Sequence, residues 1–385
     1  MIESGFAYLA ALLFIVAVIV QLDKKYEKFF SYVPGIVVIY FLVMTFSSLG
    51  FWKQTDEINM YYKHIKGNIL PVMIFLMLLH CDLKKILKLG PRMLLGFFSA
   101  SFTIGVGFVV TYFLFKSFYE PHTWKTFAAL CGSWMGGTGN MAAIQMALGV
   151  TDSQMGYTLL MDSVNYSVWV MVLLAIVPYA HKFNNWAGAD TKMLDEVGEQ
   201  LAQEAARQDT EMKFQHLALL VGSSLFVAAV SKYLASFMPT SAFLSENTWT
   251  ILIATVAGTS AAMTPLGKTP GISMLGSLAL YTIVALVGSR ANFAELSQAP
   301  LYIFSGFIIL TVHVLLLGLI ARLVKLDMFT CGVASLANIG GVASAPILAA
   351  AYSEALVPIG VLMGMLGYVI GTGGGLLVGK ILSMM

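Results

Sequence analysis

The chain has 385 residues, of which 58% are hydrophobic and 11% are charged, and its net charge is +2. An average soluble domain carries about 25% charged residues. A soluble protein of this size could not bury so much apolar surface, whereas a lipid bilayer could. The composition therefore predicts a multi-pass membrane protein. It excludes a soluble enzyme, a disordered chain and a nucleic-acid binder.

Ten segments are apolar and long enough to span a bilayer, which takes about 20 residues in a helix. In chain order they are 4–22, 32–52, 67–82, 92–116, 156–180, 214–236, 247–264, 270–289, 300–321 and 355–379. The first carries Glu3 and no small-residue cleavage site follows it, so we expect a retained helix and not a signal peptide. Two further apolar segments, 125–150 and 328–350, contain glycines in the middle.

A polar segment, 181–213, separates two halves of matching layout. Each half has four spanning candidates, then a glycine-broken segment, then a last helix. Gly136-Gly137 in the first half and Gly340-Gly341 in the second are 204 residues apart. This agreement predicts an all-α polytopic membrane protein that is an inverted-repeat transporter with two glycine-broken, re-entrant or discontinuous helices.

The predicted topology follows from the repeat. If each broken segment re-enters the membrane on its starting side, each half crosses five times and the two repeats are inverted. The positive-inside rule then places the linker in the cytoplasm and both termini outside. The linker itself is predicted to be an amphipathic surface helix or a plain tether. The predicted domains are a first repeat at 1–180 (scaffold helices 1–66, core helices 67–180), the linker at 181–213, and a second repeat at 214–385 (scaffold helices 214–264, core helices 265–385).

The first break has three glycines in four positions, in Ser133-Trp134-Met135-Gly136-Gly137-Thr138-Gly139-Asn140. A glycine inside a helix costs about 1 kcal/mol relative to alanine. Unwound backbone at membrane depth is tolerated only where it is buried in protein or lines a cavity. Its free carbonyl and N–H groups can bind ions and solute, with side-chain ligands added by threonine and asparagine. The alternative interpretation is a close helix crossing at the glycines.

The second break lies at the matching position and contains Asn338, Gly340, Gly341 and Pro346. Pro346 cannot donate a backbone hydrogen bond, which favours an interruption there. Asn338 is predicted to be a ligand, or alternatively a helix cap. The predicted substrate-binding residues of the two breaks are Ser133, Gly136, Gly137, Thr138, Gly139, Asn140, Asn338, Gly340, Gly341 and Ser344.

Asp162 is the only acidic residue well inside a predicted spanning segment. Intramembrane carboxylates are costly and indicate ion coordination or a proton relay. Asn165 lies three residues later, on the same helical face, so Asp162 and Asn165 are predicted to hold the coupling ion, with Na⁺ as a candidate. Asn140 and Asn338 complete the predicted ion-binding set. The alternative is that the two polar side chains form hydrogen bonds to the backbone groups of the unwound segment.

Two further features are predicted to be structural. His313 is a lone histidine in a spanning segment, and such a residue is more often a hydrogen-bonded packing residue than a functional one. The last helix carries four glycines at spacings of four and three residues, a pattern typical of close helix packing. They are Gly360, Gly364, Gly367 and Gly371.

The GGTGN break, the GG pair after SLAN and the six-plus-six apolar layout resemble the YjcL-like bacterial membrane proteins, a family of unknown function, over nearly the whole chain. That family is similar to sodium/glutamate, 2-hydroxycarboxylate and bile-acid symporters and to cation/proton antiporters. In symporters with a GGxG motif, the motif lies at the vertex of a re-entrant hairpin. The resemblance places that vertex at Gly136, Gly137, Thr138 and Gly139. The second copy, at 340–343, lacks the last glycine. The antiporters have an aspartate pair, of which only Asp162 is present.

The sequence therefore predicts an ion-coupled, elevator-type secondary active transporter in the bacterial inner membrane. It would move a small anionic organic solute, such as a carboxylate or sugar acid, together with Na⁺ or H⁺. The alternative is a channel or holin-like permeability regulator. We expect a homodimer that contacts membrane lipid and binds no nucleic acid. No HExxH, GxSxG or Walker A lysine motif is present and the three cysteines form no CxxC, so we expect neither an enzyme nor a cofactor.

Overall fold

The structure is a computed structural model that describes residues 1–30, 35–81, 86–189, 211–240, 245–291, 299–353 and 356–385. Within these ranges the regular structure is helical, and the one strand-like feature is an isolated bridge between Ile2 and Trp52. The α-helices are α1 (Gly5–Lys25), α2 (Glu27–Phe30), α3 (Gly35–Ser48), α4 (Asp56–Leu79), α5 (Gly90–Phe115), α6 (Thr123–Gly136), α7 (Thr138–Leu148), α8 (Asp152–Ile176), α9 (Ala180–Ala187), α10 (Phe214–Ala235), α11 (Glu246–Ala261), α12 (Ile272–Gly288), α13 (Ala299–Val324), α14 (Met328–Ile339), α15 (Gly341–Tyr352) and α16 (Val357–Leu382).

Seven helical segments in the described ranges are long and apolar enough to cross a membrane. They are Gly5–Lys25, Asp56–Leu79, Gly90–Phe118, Asp152–Ala187, Phe214–Ala235, Ala299–Val324 and Val357–Leu382. The remaining three of the ten predicted segments also contain helices, but these have 14, 16 and 17 residues (α3, α11 and α12). The prediction of an all-α polytopic membrane protein is confirmed, and the count of ten spans stays a prediction.

Helix α4 begins earlier than the apolar segment predicted at 67–82. Its first residue is Asp56, and the Thr55 side chain caps it by accepting a hydrogen bond from the backbone N–H of Ile58 at 3.2 Å. The acidic residues of the first turn suit the positive end of the helix dipole. Three polar turns therefore precede the apolar part of α4, and a hydropathy pattern alone does not detect them.

The helices pack as two sets, each drawn from both halves of the chain. The scaffold set is α1, α3, α4, α10, α11 and α12, and the core set is α5–α8 and α13–α16. The predicted boundary at residue 66 instead divides α4, and the predicted boundary at residue 264 placed α12 in the core. Small residues explain the difference, because they bring α4 and α12 close to scaffold helices. A Cβ on Gly258 of α11 would lie 3.0 Å from the Phe75 carbonyl oxygen, and one on Gly288 of α12 would lie 2.7 Å from that of Tyr40.

The predicted linker at 181–213 is described only at its ends. A short 3₁₀ turn, Val177–Tyr179, joins α8 to α9, which ends at Ala187. Residues 190–210 lie outside the described residues, and so does the predicted amphipathic helix.

Candidate functional site

The first break separates α6 from α7 at a single residue. Helix α6 ends at Gly136 and α7 begins at Thr138. Gly137 between them has φ 86° and ψ 172°, a conformation that is essentially restricted to glycine. Its N–H donates to the Ser133 carbonyl oxygen at 2.5 Å. The glycine is required here because the chain must turn between the two helices.

The second break has the same layout at the matching position. Helix α14 ends at Ile339 and α15 begins at Gly341, whose φ is 62°. The Gly340 N–H donates to the Leu336 carbonyl oxygen at 2.7 Å. Pro346 lies inside α15 and not at the interruption, so this proline does not mark the break as the sequence pattern suggested.

The two breaks lie next to each other in the core set. A Cβ on Gly341 would lie 4.0 Å from the Cα of Gly137. The ring of Tyr368 on α16 lies beside both breaks. Its Cε1 atom would be 3.3 Å from a Cβ on Gly137 and 4.0 Å from a Cβ on Gly341. Interruptions that are 204 residues apart in the sequence thus form one structural element.

Equivalent side chains hold the first turn of each following helix. Asn140 donates to the Gly136 carbonyl oxygen at 2.6 Å, and Ser344, which is 204 residues later, donates to that of Gly340 at 3.1 Å. Each also bonds to the last helix of the opposite half. Thr372 of α16 donates to Asn140 at 2.6 Å, and the Tyr166 hydroxyl of α8 lies 2.5 Å from that of Ser344. Each half therefore fixes the broken element of the other.

The glycine stripe of α16 packs directly on the two breaks. A Cβ on Gly364 would lie 2.6 Å from the Val342 backbone nitrogen, and one on Gly371 would lie 2.7 Å from the Gly136 Cα. The other two glycines, Gly360 and Gly367, also pack against backbone atoms, which belong to helices α6, α14 and α15. These glycines are packing residues, as predicted, and what they pack against is the backbone of the candidate site.

A cavity of about 260 Å³ lies where the breaks, α8 and the scaffold set meet. Six of the predicted site residues line it: Gly137, Thr138, Asp162, Gly340, Gly341 and Ser344. The lining residues that were not predicted are Gly35, Ile36, Val37, Met77, Leu159, Ser163, Tyr166, Ser277, Leu280, Tyr281, Ile339, Ala343 and Tyr368. Because α3 and α12 supply part of this wall, the cavity lies between the two helix sets.

Asp162 is the one carboxylate among the described residues that line the cavity, and none of those residues is Lys, Arg or His. Its two oxygens accept hydrogen bonds from the last turn of α6. The Trp134 indole N–H donates to Oδ1 at 2.7 Å, and the Ser133 hydroxyl donates to Oδ2 at 3.2 Å. Hydroxyl groups of serines and tyrosines make up most of the remaining polar lining. The described lining of the cavity therefore offers many neutral hydroxyl groups and a single carboxyl group.

Six predicted ligands do not line the cavity. Ser133 bonds to Asp162, and Gly136 packs against Gly367 of α16. Gly139 packs against Met77, and Asn140 makes the two hydrogen bonds described above. Asn338 accepts from Ser101 at 2.6 Å and donates to backbone carbonyls on α5 and α14. Asn165 donates to the Ile303 carbonyl oxygen of α13 at 3.1 Å. Asn165 and Asp162 therefore contact different neighbours, although they are three residues apart on α8.

His313 is fully buried and hydrogen-bonded through both ring nitrogens. Nδ1 lies 2.8 Å from the Thr103 hydroxyl, and Nε2 lies 2.8 Å from the Ser335 hydroxyl, which also accepts from the Trp169 indole at 2.9 Å. None of these residues lines the cavity. The contacts fit the predicted packing role of this histidine.

A polar cluster that hydropathy does not indicate joins the two helix sets. The Lys66 ammonium on α4 lies 2.7 Å from Asp152 Oδ1 at the start of α8, and Gln145 donates to the same oxygen at 2.9 Å. The Tyr62 hydroxyl donates to the other oxygen. The only sequence signal was a lysine in the polar half of α4, and hydropathy does not single it out.

Several apolar spanning helices, two glycine interruptions and the cavity between them define a multi-pass α-helical membrane protein. The described residues contain no group of three or more His, Cys, Asp or Glu side chains that could hold a metal ion.

The chain belongs to the family described as protein of unknown function, DUF819, whose model matches residues 10–385. It is similar to the uncharacterized membrane protein YjcL of Bacillus subtilis (strain 168), with 23% identity over 377 residues, which is 92% of this chain and 91% of the relative. The resemblance to the YjcL-like family is thereby confirmed, and its relation to symporters stays a prediction.

Proposed function

We propose that the protein is a secondary active transporter that moves a small organic solute across the membrane with a coupling ion. The observation that carries the proposal is the cavity shared by both breaks and Asp162. Interrupted helices that meet at one site, with free backbone groups and a nearby carboxylate, are the arrangement by which inverted-repeat transporters bind solute and ion. A channel would instead require a continuous pore.

The chemistry of the cavity favours a small solute with at least one anionic group. Its volume of about 260 Å³ is just below the range of about 300–1,000 Å³ for small-ligand pockets, so the solute must be small. Helices α7 and α15 begin at the breaks without side-chain caps, and helix N-termini attract negative charge. The surrounding hydroxyls suit the hydroxyl or amide groups of a sugar acid. The proposal includes no enzyme activity and no cofactor.

The packing of the two helix sets favours an elevator mechanism. Both breaks and Asp162 belong to the core set, while α3 and α12 of the scaffold set supply the opposite wall. Movement of the core set along the scaffold would expose the cavity to each side in turn. We further propose that the scaffold sets of two copies form a homodimer and that the protein resides in the bacterial inner membrane.

The test has two stages. Purified protein is first screened by thermal unfolding against organic anions and sugar acids, because a ligand that binds the folded state raises apparent stability. Uptake of each hit is then measured in proteoliposomes under an imposed Na⁺ or H⁺ gradient. A transporter accumulates the solute above its external concentration and loses that accumulation when an ionophore collapses the gradient. Equilibration without accumulation would identify a channel and refute the proposal.

A further inference from the structure

We propose that the coupling ion is a proton, which binds Asp162 at Oδ2 and acts on the first break through Ser133. This inference rests on the proposed function, because it names the ion for the same site. Its starting point is the pair of hydrogen bonds that Asp162 accepts from Trp134 and Ser133.

The donors around Asp162 disfavour a metal cation. Hard cations such as Ca²⁺ and Mg²⁺ take about six or more oxygen ligands, and the same oxygen preference is expected of Na⁺. Here Oδ1 already accepts from the Trp134 indole N–H, a group that has no acceptor to offer. The amide oxygens of Asn140 and Asn338 already accept from Thr372 and Ser101. The Asn165 oxygen makes no hydrogen bond, but it faces Gly306 of α13 and not Asp162. A proton needs only one carboxylate oxygen.

Oδ2 is the oxygen that can accept the proton. The Trp134 bond to Oδ1 is the shorter one, at 2.7 Å, and an indole nitrogen cannot reverse its role. The Ser133 hydroxyl bonds to Oδ2 at 3.2 Å and can rotate from donor to acceptor. Once Oδ2 is protonated, its O–H donates to the Ser133 oxygen, and the serine hydroxyl must find a new acceptor.

The same serine connects this event to the break. The Ser133 carbonyl oxygen accepts the Gly137 N–H at 2.5 Å, which is the bond that closes the last turn of α6. Gly137 lines the cavity with Asp162. A change in the hydrogen bonding of Ser133 therefore acts within one turn of the vertex where the solute would bind. This short path couples proton binding to solute binding.

No other described group around the cavity competes for the proton at neutral pH. The titratable groups that line it with Asp162 are three phenols: Tyr166 on α8, Tyr281 on α12 and Tyr368 on α16. On other helices that pack against α8, three titratable groups have hydrogen-bond partners elsewhere. They are Tyr40 of α3 (to the Asp152 carbonyl), Tyr302 of α13 (to Thr123) and His313 of α13 (to Thr103 and Ser335).

The direct test is infrared difference spectroscopy of the purified protein between about pH 4 and about pH 8, the range in which carboxyl groups and their perturbed forms titrate. We expect a protonated-carboxyl band in the wild type that is absent in Asp162→Asn. Ser133→Ala should move the midpoint of this band up by about one pH unit, because loss of a donor disfavours the charged form. Ser133→Thr keeps the hydroxyl and should keep the wild-type midpoint. If Asp162→Asn does not fold, Asp162→Glu should shift the band in place of removing it.

The proposal is overturned if the wild-type and Asp162→Asn spectra are the same. It is also overturned if NaCl, compared with KCl at equal ionic strength, stabilises the wild type but not Asp162→Asn against thermal unfolding. The proposed function fails separately. If the Asp162 band titrates as expected but no ion gradient drives uptake in proteoliposomes, the proton site stands and the transporter assignment is wrong. If only a Na⁺ gradient drives uptake, the transporter stands and proton coupling is wrong.

Discussion

Replacing Gly364 by alanine should destabilise the protein, because the added methyl group meets backbone that cannot move aside. Its Cβ would lie 2.6 Å from the Val342 nitrogen, 2.7 Å from the Val342 Cα and 2.9 Å from the Gly341 carbonyl carbon. Real Cβ contacts are essentially never this short, so α16 or the second break must shift. Overpacking of this kind costs about 1–3 kcal/mol.

Gly373 provides the matched control on the same helix. A Cβ there would have nothing within 4 Å, and the residue is exposed. Both substitutions gain the same helix propensity, about 1 kcal/mol for glycine to alanine. The difference between the two variants therefore measures the steric clash alone. Gly373→Ala should unfold at or above the wild-type temperature.

Thermal unfolding of both variants in the same detergent gives the comparison. At about 2 °C per kcal/mol for a chain longer than 250 residues, Gly364→Ala should unfold about 2–6 °C below Gly373→Ala. Equal unfolding temperatures would refute the reasoning, because they would mean that α16 and the second break are not in close contact.

Three further predictions test other parts of the structure. Gly137→Ala should abolish gradient-driven uptake, because Gly137 has φ 86° and lies beside the cavity. Gly149→Ala, at φ 63° with no neighbour within 4 Å, should lower stability through a similar backbone strain of about 1–3 kcal/mol but retain uptake. Equal loss of uptake in both variants would contradict this prediction. Lys66→Met should lower the free energy of unfolding by about 1–3 kcal/mol, because it removes the ion-pair partner of the partly buried Asp152 carboxylate. Lys53→Met, in an exposed ion pair, should change the free energy of unfolding little. Equal effects in chemical denaturation would show that burial of the pair does not matter. A cysteine introduced in the linker at 181–213 should be labelled by a membrane-impermeant maleimide only after cells are opened. The unsubstituted chain is the control, because its native cysteines are buried. Labelling in intact cells would show that the predicted orientation is wrong.

Much of the fold follows from composition and hydropathy. A bilayer-spanning helix requires an apolar run, so helices occur at all ten segments that the sequence indicated. The interruption at Gly137 was predictable for a similar reason, since only glycine tolerates the backbone conformation found there. The start of α4 was not predictable from hydropathy, because a polar helix with a Thr55 cap needs no apolar run.

The wall of the cavity depends on tertiary packing and could be predicted only in part. Helical periodicity placed Asn165 near Asp162, but a helix face is broad, and the Asn165 amide points to α13. Trp134 was part of the recognised motif, yet its bond to Asp162 depends on the packing of α6 against α8. Tyr368 is more than 200 residues from the first break, and no local pattern brings it there.

The exchange of hydrogen bonds between the halves also constrains how the protein is made. The first break is synthesised early, yet the side chain that holds Asn140 is Thr372, in the last helix of the chain. The backbone that Gly371 covers belongs to Gly136 of that same break. During translation α6 and α7 therefore lack these contacts until α16 has been synthesised. We expect a chain that terminates before α16 to be unstable in its first half as well, because the first break would lack these contacts.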